Sequence, residues 1–411
     1  MQTPSDAAIA RAFQLSSPPA AFYDDPYPTY RALREHDPVR VLDNGSVFLT
    51  RHDDVAAMYR SPDASSDKRR EFGPKYGEGT PLFEHHTGSL VFNDPPSHTR
   101  VRRLLLPAVA QRAIARMEPG VVALVDGLLD AMAAKARDGV PVDLIEDFAA
   151  AIPVEVIGNL LSFPREDRGP LRGWSLAILA ALEPVPTPAM HEAGNRAVTE
   201  FLAYLRALIA HRRAHPLDPD EDVLTRLIQG EVGGERLTEG ELLHNCIFLL
   251  NAGHETTTNA IGNGLDALMR FPGEQRRLRE DPALIGPAVE EMLRFESPLQ
   301  LNNRMLTAAT ALGGRTFPAG TFVTLCLGAA NRDPAQFVDP ERFDVGRRPN
   351  RQLAFGHGDH ACAGMNVARL EARIAIGRLL ARFPRLERDG APRRDRRLRF
   401  RGFLSLPARL A

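Results

Sequence analysis

A mainly α-helical fold with small β-sheets is what this chain of 411 residues predicts, and three observations predict it. Between about Pro96 and Pro298 nearly every segment carries apolar residues three and four apart, the spacing that gathers them on one helical face. Short alternating runs near the N-terminus, Val39-Arg-Val-Leu42 and Ser46-Val-Phe-Leu-Thr50, mark small strands. Beyond residue 300, Gly313-Gly, Pro318-Ala-Gly320 and a β-branched run at 321–325 signal hairpins.

Taken in order, β-rich regions are expected at roughly 30–95 and 300–330, around a helical core at roughly 96–298. Helices are expected near 97–116, 118–137, 142–162, 194–213 and 238–271. The last begins at Thr238-Glu-Gly-Glu241, which has the spacing of a capping box. Glu183-Pro-Val-Pro-Thr-Pro188 interrupts two helical stretches, because proline cannot continue a helix. Past Gly364, Val367, Leu370, Ile374 and Leu379 recur at helical spacing. No Gly/Ser-rich linker or repeat divides the chain, so residues 1–411 read as one catalytic unit.

Composition narrows the function. A net charge of −1 and a pI near 6.9 argue against nucleic acid as a partner, since phosphate binding needs a basic excess. Arg393, Arg394, Arg396, Arg397, Arg399 and Arg401 do crowd the C-terminus, and such a run reads as a solvated face. Cys246, Cys326 and Cys362 are too few and too odd in number for a disulfide framework, which fits a reducing compartment. The first residues lack a basic region followed by an apolar one, and no run of about twenty apolar residues occurs, so a cytoplasmic protein with no membrane partner is expected. Neither an iron–sulfur cysteine pattern nor spare length for a flavin domain is present, so any electrons must come from another protein.

Two segments carry chemistry. The first is Phe355-Gly-His-Gly-Asp-His-Ala-Cys362-Ala-Gly364, where Gly356, Gly358 and Gly364 permit turns and let a flat, bulky ligand lie close to the backbone. A sulfur just ahead of a helix start is favoured as the metal-binding thiolate. By itself, an unpaired cysteine is more often a buried thiol. The second is the middle of the 238–271 helix, where Asn251-Ala-Gly-His-Glu-Thr-Thr-Thr-Asn259 interrupts two apolar stretches. Unpaired buried polar groups cost roughly 1–3 kcal/mol each, so something must use these. Gly253 weakens the helix there and threonine hydroxyls can bend it, opening a groove the size of a dioxygen molecule.

Phe-Gly-x-Gly-x-His-x-Cys-x-Gly resembles the haem-binding loop of the bacterial cytochrome P450 monooxygenases, and Ala252-Gly-His-Glu-Thr256 resembles that family's Ala-Gly-x-(Asp/Glu)-Thr motif. The resemblance runs from about Tyr23 to Pro407 and implies the P450 fold, an orthogonal helical bundle with minor antiparallel sheets. It implies haem b as cofactor, with Cys362 as the axial iron ligand. It also implies that Thr256 hydrogen-bonds dioxygen and Glu255 relays protons. Asp94-Pro-Pro-Ser-His98-Thr-Arg-Val-Arg102, Arg304 and His360 match positions that bind the haem propionates. Glu291 and Arg294, three apart on one helical face, and Arg342 in Pro340-Glu-Arg-Phe343 match a buried structural network. Phe92, Leu250, Ala252, Gly253, Leu299, Asn302 and Phe400 are carried over as the substrate pocket, an apolar chamber with one amide to donate or accept. Residues 174–195 correspond to a lid over it. The turn after Arg103 departs from the family pattern, with Leu106-Pro-Ala-Val-Ala110 in place of Ala-Phe-(Ser/Thr)-Pro.

The function so implied is insertion of one atom of O2 into a small organic substrate, C–H hydroxylation by default. Electrons would come from a ferredoxin and its NAD(P)H-dependent reductase, and Arg100, Arg103, Arg369 and Arg373 would face an acidic partner. A peroxide-driven oxygenase and a non-catalytic haem sensor are the alternatives. Retention of both Glu255 and Thr256 and the presence of a lid favour the O2-dependent enzyme.

Overall fold

The computed structural model describes residues 5–137, 139–231 and 234–410. Its axis is the helix Glu239–Arg270, and the sequence explains where that helix begins. Thr238 Oγ1 accepts from the Glu241 amide at 3.2 Å while the Glu241 carboxylate accepts from the Thr238 amide at 2.9 Å, closing the capping box. Helices Ala151–Leu160, Leu171–Ala180, Pro188–Ala214, Ile285–Phe295 and Met365–Arg382 pack around it. One apolar core joins its C-terminal half, through Ile261 and Leu265, to Ile376 and Leu379 of the last of these. A second joins its N-terminal half, through Ile247 and Leu250, to Ile178 and Phe201. No helix among the described residues is long and apolar enough to cross a membrane.

Several expected boundaries move. Residues 30–95 are largely helical: Tyr27–His36, His52–Arg60, Arg69–Tyr76 and Pro81–Gly88 surround strands of two or three residues each. Short strands need partners far along the chain, so local alternation overstates them. The main sheet has five strands in the order Val39–Val41, Val47–Leu49, Phe322–Cys326, Leu301–Leu306, Ala64–Ser65. Val47–Leu49 runs parallel to Phe322–Cys326, so this sheet is mixed where an antiparallel one was expected. Residues 386–410 supply further small strands that periodicity did not reveal.

The break expected between 116 and 118 lies instead at 106–110. Leu106–Val109 is a 3-10 turn containing Pro107, and Gln111–Arg137 then runs unbroken through Pro119. Pro119 is exposed, and so is Ala115, whose carbonyl it leaves without a donor, so water can take that place. Likewise 142–162 is not one helix: the Asp143 carboxylate accepts from the Ile145 and Leu406 amides at 2.9 and 3.0 Å, turning the chain from a strand into a wide helical turn ahead of Ala151–Leu160.

Candidate active site

A chain of contacts links the cysteine loop to the middle of the long helix. The cysteine loop touches Tyr59, because Gly358, at a φ of 71° that favours glycine, would bring any Cβ to 2.7 Å from the Tyr59 carbonyl. Tyr59 accepts a bond from the Asn302 amide at 3.1 Å and lies under the Arg304 guanidinium, which joins the loop to the strand Leu301–Leu306. Just before that strand Leu299 bridges to Phe400, and nearby Arg397 holds Glu255 of the long helix. Farther along that helix, Asn245 accepts from the Leu90 amide at 2.9 Å, beside Phe92. The helix Ser97–Leu105 returns to the loop: His98 stacks on His360 with ring centroids 3.9 Å apart, and Arg102 donates to the Ala361 carbonyl at 2.8 Å.

The long helix is largely buried between Leu242 and Leu268 yet partly exposed along Phe248, Leu249, Ala252, Gly253, Thr256 and Ala260. Residues three and four apart share a helical face, so this is one accessible stripe. Thr256 Oγ1 donates to the Ala252 carbonyl at 2.7 Å, one turn back. Glu255 is turned away and buried, both its oxygens engaged by Arg397. His254 points to the opposite side, its Nδ1 3.1 Å from Ser175 Oγ on the lid helix, and burial pushes its imidazole down to about 4.

Cys362 is exposed, whereas Cys246 and Cys326 are buried, so it is the cysteine open to a ligand. Its amide donates to the Phe355 carbonyl at 2.9 Å, and the helix Met365–Arg382 starts three residues on. Burial by surrounding protein pushes its thiol up; the Gly364 amide and the charges of Arg102 and Arg369 oppose that.

The polar groups around the loop fit a cofactor with two carboxylates. Both ring nitrogens of His98 are buried without a hydrogen-bond partner among the described residues. Arg304 is 4% exposed and donates to the Asn303 carbonyl, not to a carboxylate. Buried cations and donors without an anion are costly, and a carboxylate brought among them relieves that cost. Burial and neighbouring positive charge lower both imidazoles, His360 to about 3. Asp94 of the same motif is committed elsewhere, accepting from the Ser66 amide at 2.8 Å.

Other expected residues land differently. Arg294 and Glu291 form a fully buried bidentate pair at 2.7 and 2.8 Å. The arginine that joins them is Arg347, whose Nε donates to Glu291 at 3.1 Å. The Arg342 side chain is exposed, and that residue contributes its carbonyl, an acceptor from both Arg294 and Arg347. Leu250 is fully buried in the helix-packing core, one residue's rotation off the exposed stripe, so it does not line the expected substrate pocket. A Cβ on Gly253 would meet Ile157 at 2.9 Å, so its missing side chain serves helix packing. The Asn302 amide is spent on Tyr59 and on the Asn303 amide. Phe400 is 5% exposed under Arg397, while Phe92, Ala252 and Leu299 keep accessible surface.

The C-terminal arginine run is not a solvated face. Arg401 and Arg394 surround buried Glu296, and Arg397 takes Glu255; only Arg393 and Arg396 are exposed. Each of Arg397, Arg399 and Arg401 finds its partner far along the chain. Charge counting could not reveal this.

A cysteine loop under a polar-centred helix, with buried cations placed for carboxylates, is the layout of a haem-thiolate oxygenase. Residues 174–409 match the sequence model of the family described as Cytochrome P450. Vitamin D(3) 25-hydroxylase of Pseudonocardia autotrophica is 40% identical over 89% of this chain and 88% of its own length. Cytochrome P450 monooxygenase PikC of Streptomyces venezuelae is 40% identical over 90% of this chain and 87% of its own. The solved structure of P450BioI with an acyl carrier protein carrying hexadec-9Z-enoic acid superposes with a TM-score of 0.89 at 34% identity, covering 95% of this chain and all of that one. The chain belongs to the cytochrome P450 family and is a haem-dependent monooxygenase that uses O2, an organic substrate and redox partners.

Proposed function

We propose that this monooxygenase hydroxylates an unactivated C–H bond of a largely apolar substrate, with electrons delivered by a ferredoxin and its NAD(P)H-dependent reductase. The observation that carries the reading is the single accessible stripe on a buried helix, with Ala252 and Thr256 one turn apart on it and Glu255 beside them. The hydroxylase named among the relatives supports the same outcome.

Cys362 would hold the iron, and His98, Arg102, Arg304 and His360 the propionates. Haem with a thiolate ligand supplies the cleavage of the O–O bond. The chain's own part is to place substrate between Phe92, Ala252 and Leu299, to keep water out with the lid, and to pass protons. Thr256, already donating to the Ala252 carbonyl, can accept a proton at its oxygen and hand on its own. Glu255 can resupply it when released by Arg397. Of the arginines expected to face the partner, Arg100, Arg103 and Arg369 are paired with Glu241, Glu235 and Glu290, whereas Arg373 donates to a carbonyl. Arg373, with no carboxylate at ion-pair distance among the described residues, is the group an acidic ferredoxin would engage.

A carbon monoxide difference spectrum of the dithionite-reduced protein, beside Cys362→Ser, tests the ligand. The strongly red-shifted Soret band is expected in the wild type and absent from the variant; a histidine-type band in both would overturn the reading. In Thr256→Ala, NADH oxidation should continue while product gives way to peroxide. Full product formation from peroxide alone, without NADH, would instead remove the ferredoxin from the scheme.

A further inference from the structure

A second cleft, of about 570 Å3, opens on the outer side of the lid loop between the helix Arg69–Tyr76, the loop residues Pro184 and Val185, and the strand Leu301–Leu306. Its walls are apolar at Leu15, Pro184, Val185 and Phe322, with Val185 57% exposed. Three cations line it: Arg70, Lys75 and Arg399.

None of the three has a carboxylate at ion-pair distance among the described residues, in a chain whose buried arginines are mostly paired. Lys75 Nζ donates to the Glu183 carbonyl at 2.7 Å and lies over the Tyr76 ring. Arg399 donates to the Leu182 carbonyl at 2.9 Å and to Asn303 Oδ1 at 3.0 Å. Arg70 is exposed and lies against Gly320. Of the acids at the cleft, Glu71 is held by Lys68 at 3.1 Å, and Asp43 sits exposed on the rim. The Glu183 carboxylate is spent on the Leu398 and Arg399 amides. Three cations therefore line a cleft whose own unpaired acid among the described residues is Asp43, with the Glu183 charge also acting on Lys75. Burial and the Arg399 charge push Lys75 down to about 7, a cost that a bound anion would reverse.

The cleft lies one layer of side chains from the substrate space. Phe72, on the Lys75 helix, packs edge-on against Phe92 at 5.2 Å, and Arg399 adjoins Phe400, which bridges Leu299.

Resting on the monooxygenase reading above, we propose that Arg70, Lys75 and Arg399 hold the anionic head of an amphipathic substrate, whose apolar tail passes under the lid loop toward Phe92 and Ala252. The substrate class is then a long-chain molecule ending in a carboxylate or phosphate. Lys75 and Arg399 already hold the carbonyls of Glu183 and Leu182, so an anion seated between them also fixes the lid loop.

Isothermal titration of the haem-loaded full chain with dodecanoate, dodecyl phosphate and 1-dodecanol, each below its micelle concentration, tests this. At least one anion should bind about tenfold more tightly than the alcohol, a difference of about 1.4 kcal/mol. That advantage should vanish in Lys75→Met/Arg70→Ser and shrink with added salt and as pH rises past 7. The stronger of the two anions names the head group. Lys75→Gln alone, checked by its melting temperature, serves if the double variant misfolds. An alcohol that binds as well as both anions, or a preference that survives the substitutions, overturns the head site. A carbon monoxide spectrum of the same samples separates this from failure of the monooxygenase reading, because titration heat does not depend on the iron ligand.

Discussion

Arg397 and Glu255 form a buried pair across 142 residues of sequence, the guanidinium donating to both carboxylate oxygens, one at 3.2 Å, with side chains 8% and 3% exposed. Both side chains are buried, so removing Arg397 strands the Glu255 carboxylate, whereas removing Glu255 leaves the guanidinium its second partner, Asp395, at 2.5 Å. Arg397→Gln should cost roughly 3–5 kcal/mol of stability, whereas Arg397→Gln/Glu255→Gln should lose much less than the sum of the single changes. Urea unfolding of the four proteins measures the coupling, and strictly additive losses would deny it.

The Glu291–Arg294–Arg347 cluster makes a second contrast. Arg347→Ala takes a donor from a fully buried carboxylate, so haem retention and stability should both fall, by several kcal/mol in the latter. Arg342→Ala, which leaves the carbonyl in place, should stay within about 0.5 kcal/mol of wild type. Haem content after purification, read with the melting temperature, separates the two; equal damage from both would mean that the Arg342 side chain matters after all.

Gly253 meets its neighbour before it meets the substrate space. Gly253→Ala places a methyl 2.9 Å from Ile157 Cδ1, and overpacking of this kind costs roughly 1–3 kcal/mol. Ile157→Val in the same chain should restore much of that loss. If the second change only adds to the first, the glycine is serving something other than this contact.

Glu371 is 2% exposed, and its Oε2 has no partner among the described residues. Burial pushes its carboxyl up to about 8, against about 4.3 for an unfolded glutamate. Between those values the folded chain holds a proton that the unfolded chain has released. The contribution of this group to stability therefore falls as pH rises across that window, by at most about 1.4 kcal/mol per unit. Glu371→Gln does not titrate, so its melting temperature should gain on wild type steadily from about pH 5 to about pH 8. A gap that stays constant over that range would show that the carboxyl finds a partner.

The sequence by itself determined what short-range geometry encodes. The cysteine loop, the capping box at Thr238, the polar break from Asn251 to Asn259 and the Glu291–Arg294 pair each depend on residues within one or two turns of one another. Backbone preference and hydrogen bonding settle such features locally. The same locality let short alternating runs look like a β-rich N-terminal region, because strands are decided by partners such as Val47 and Val323. Only the tertiary structure decided which arginine reaches Glu291, 56 residues away, which one claims Glu255, and that Glu183 and Lys75 tie down the lid loop across 108 residues. Burial is what separates these from the many other arginines of the chain. A charge removed from water must find its partner in three dimensions, and that requirement leaves no periodic mark on the sequence.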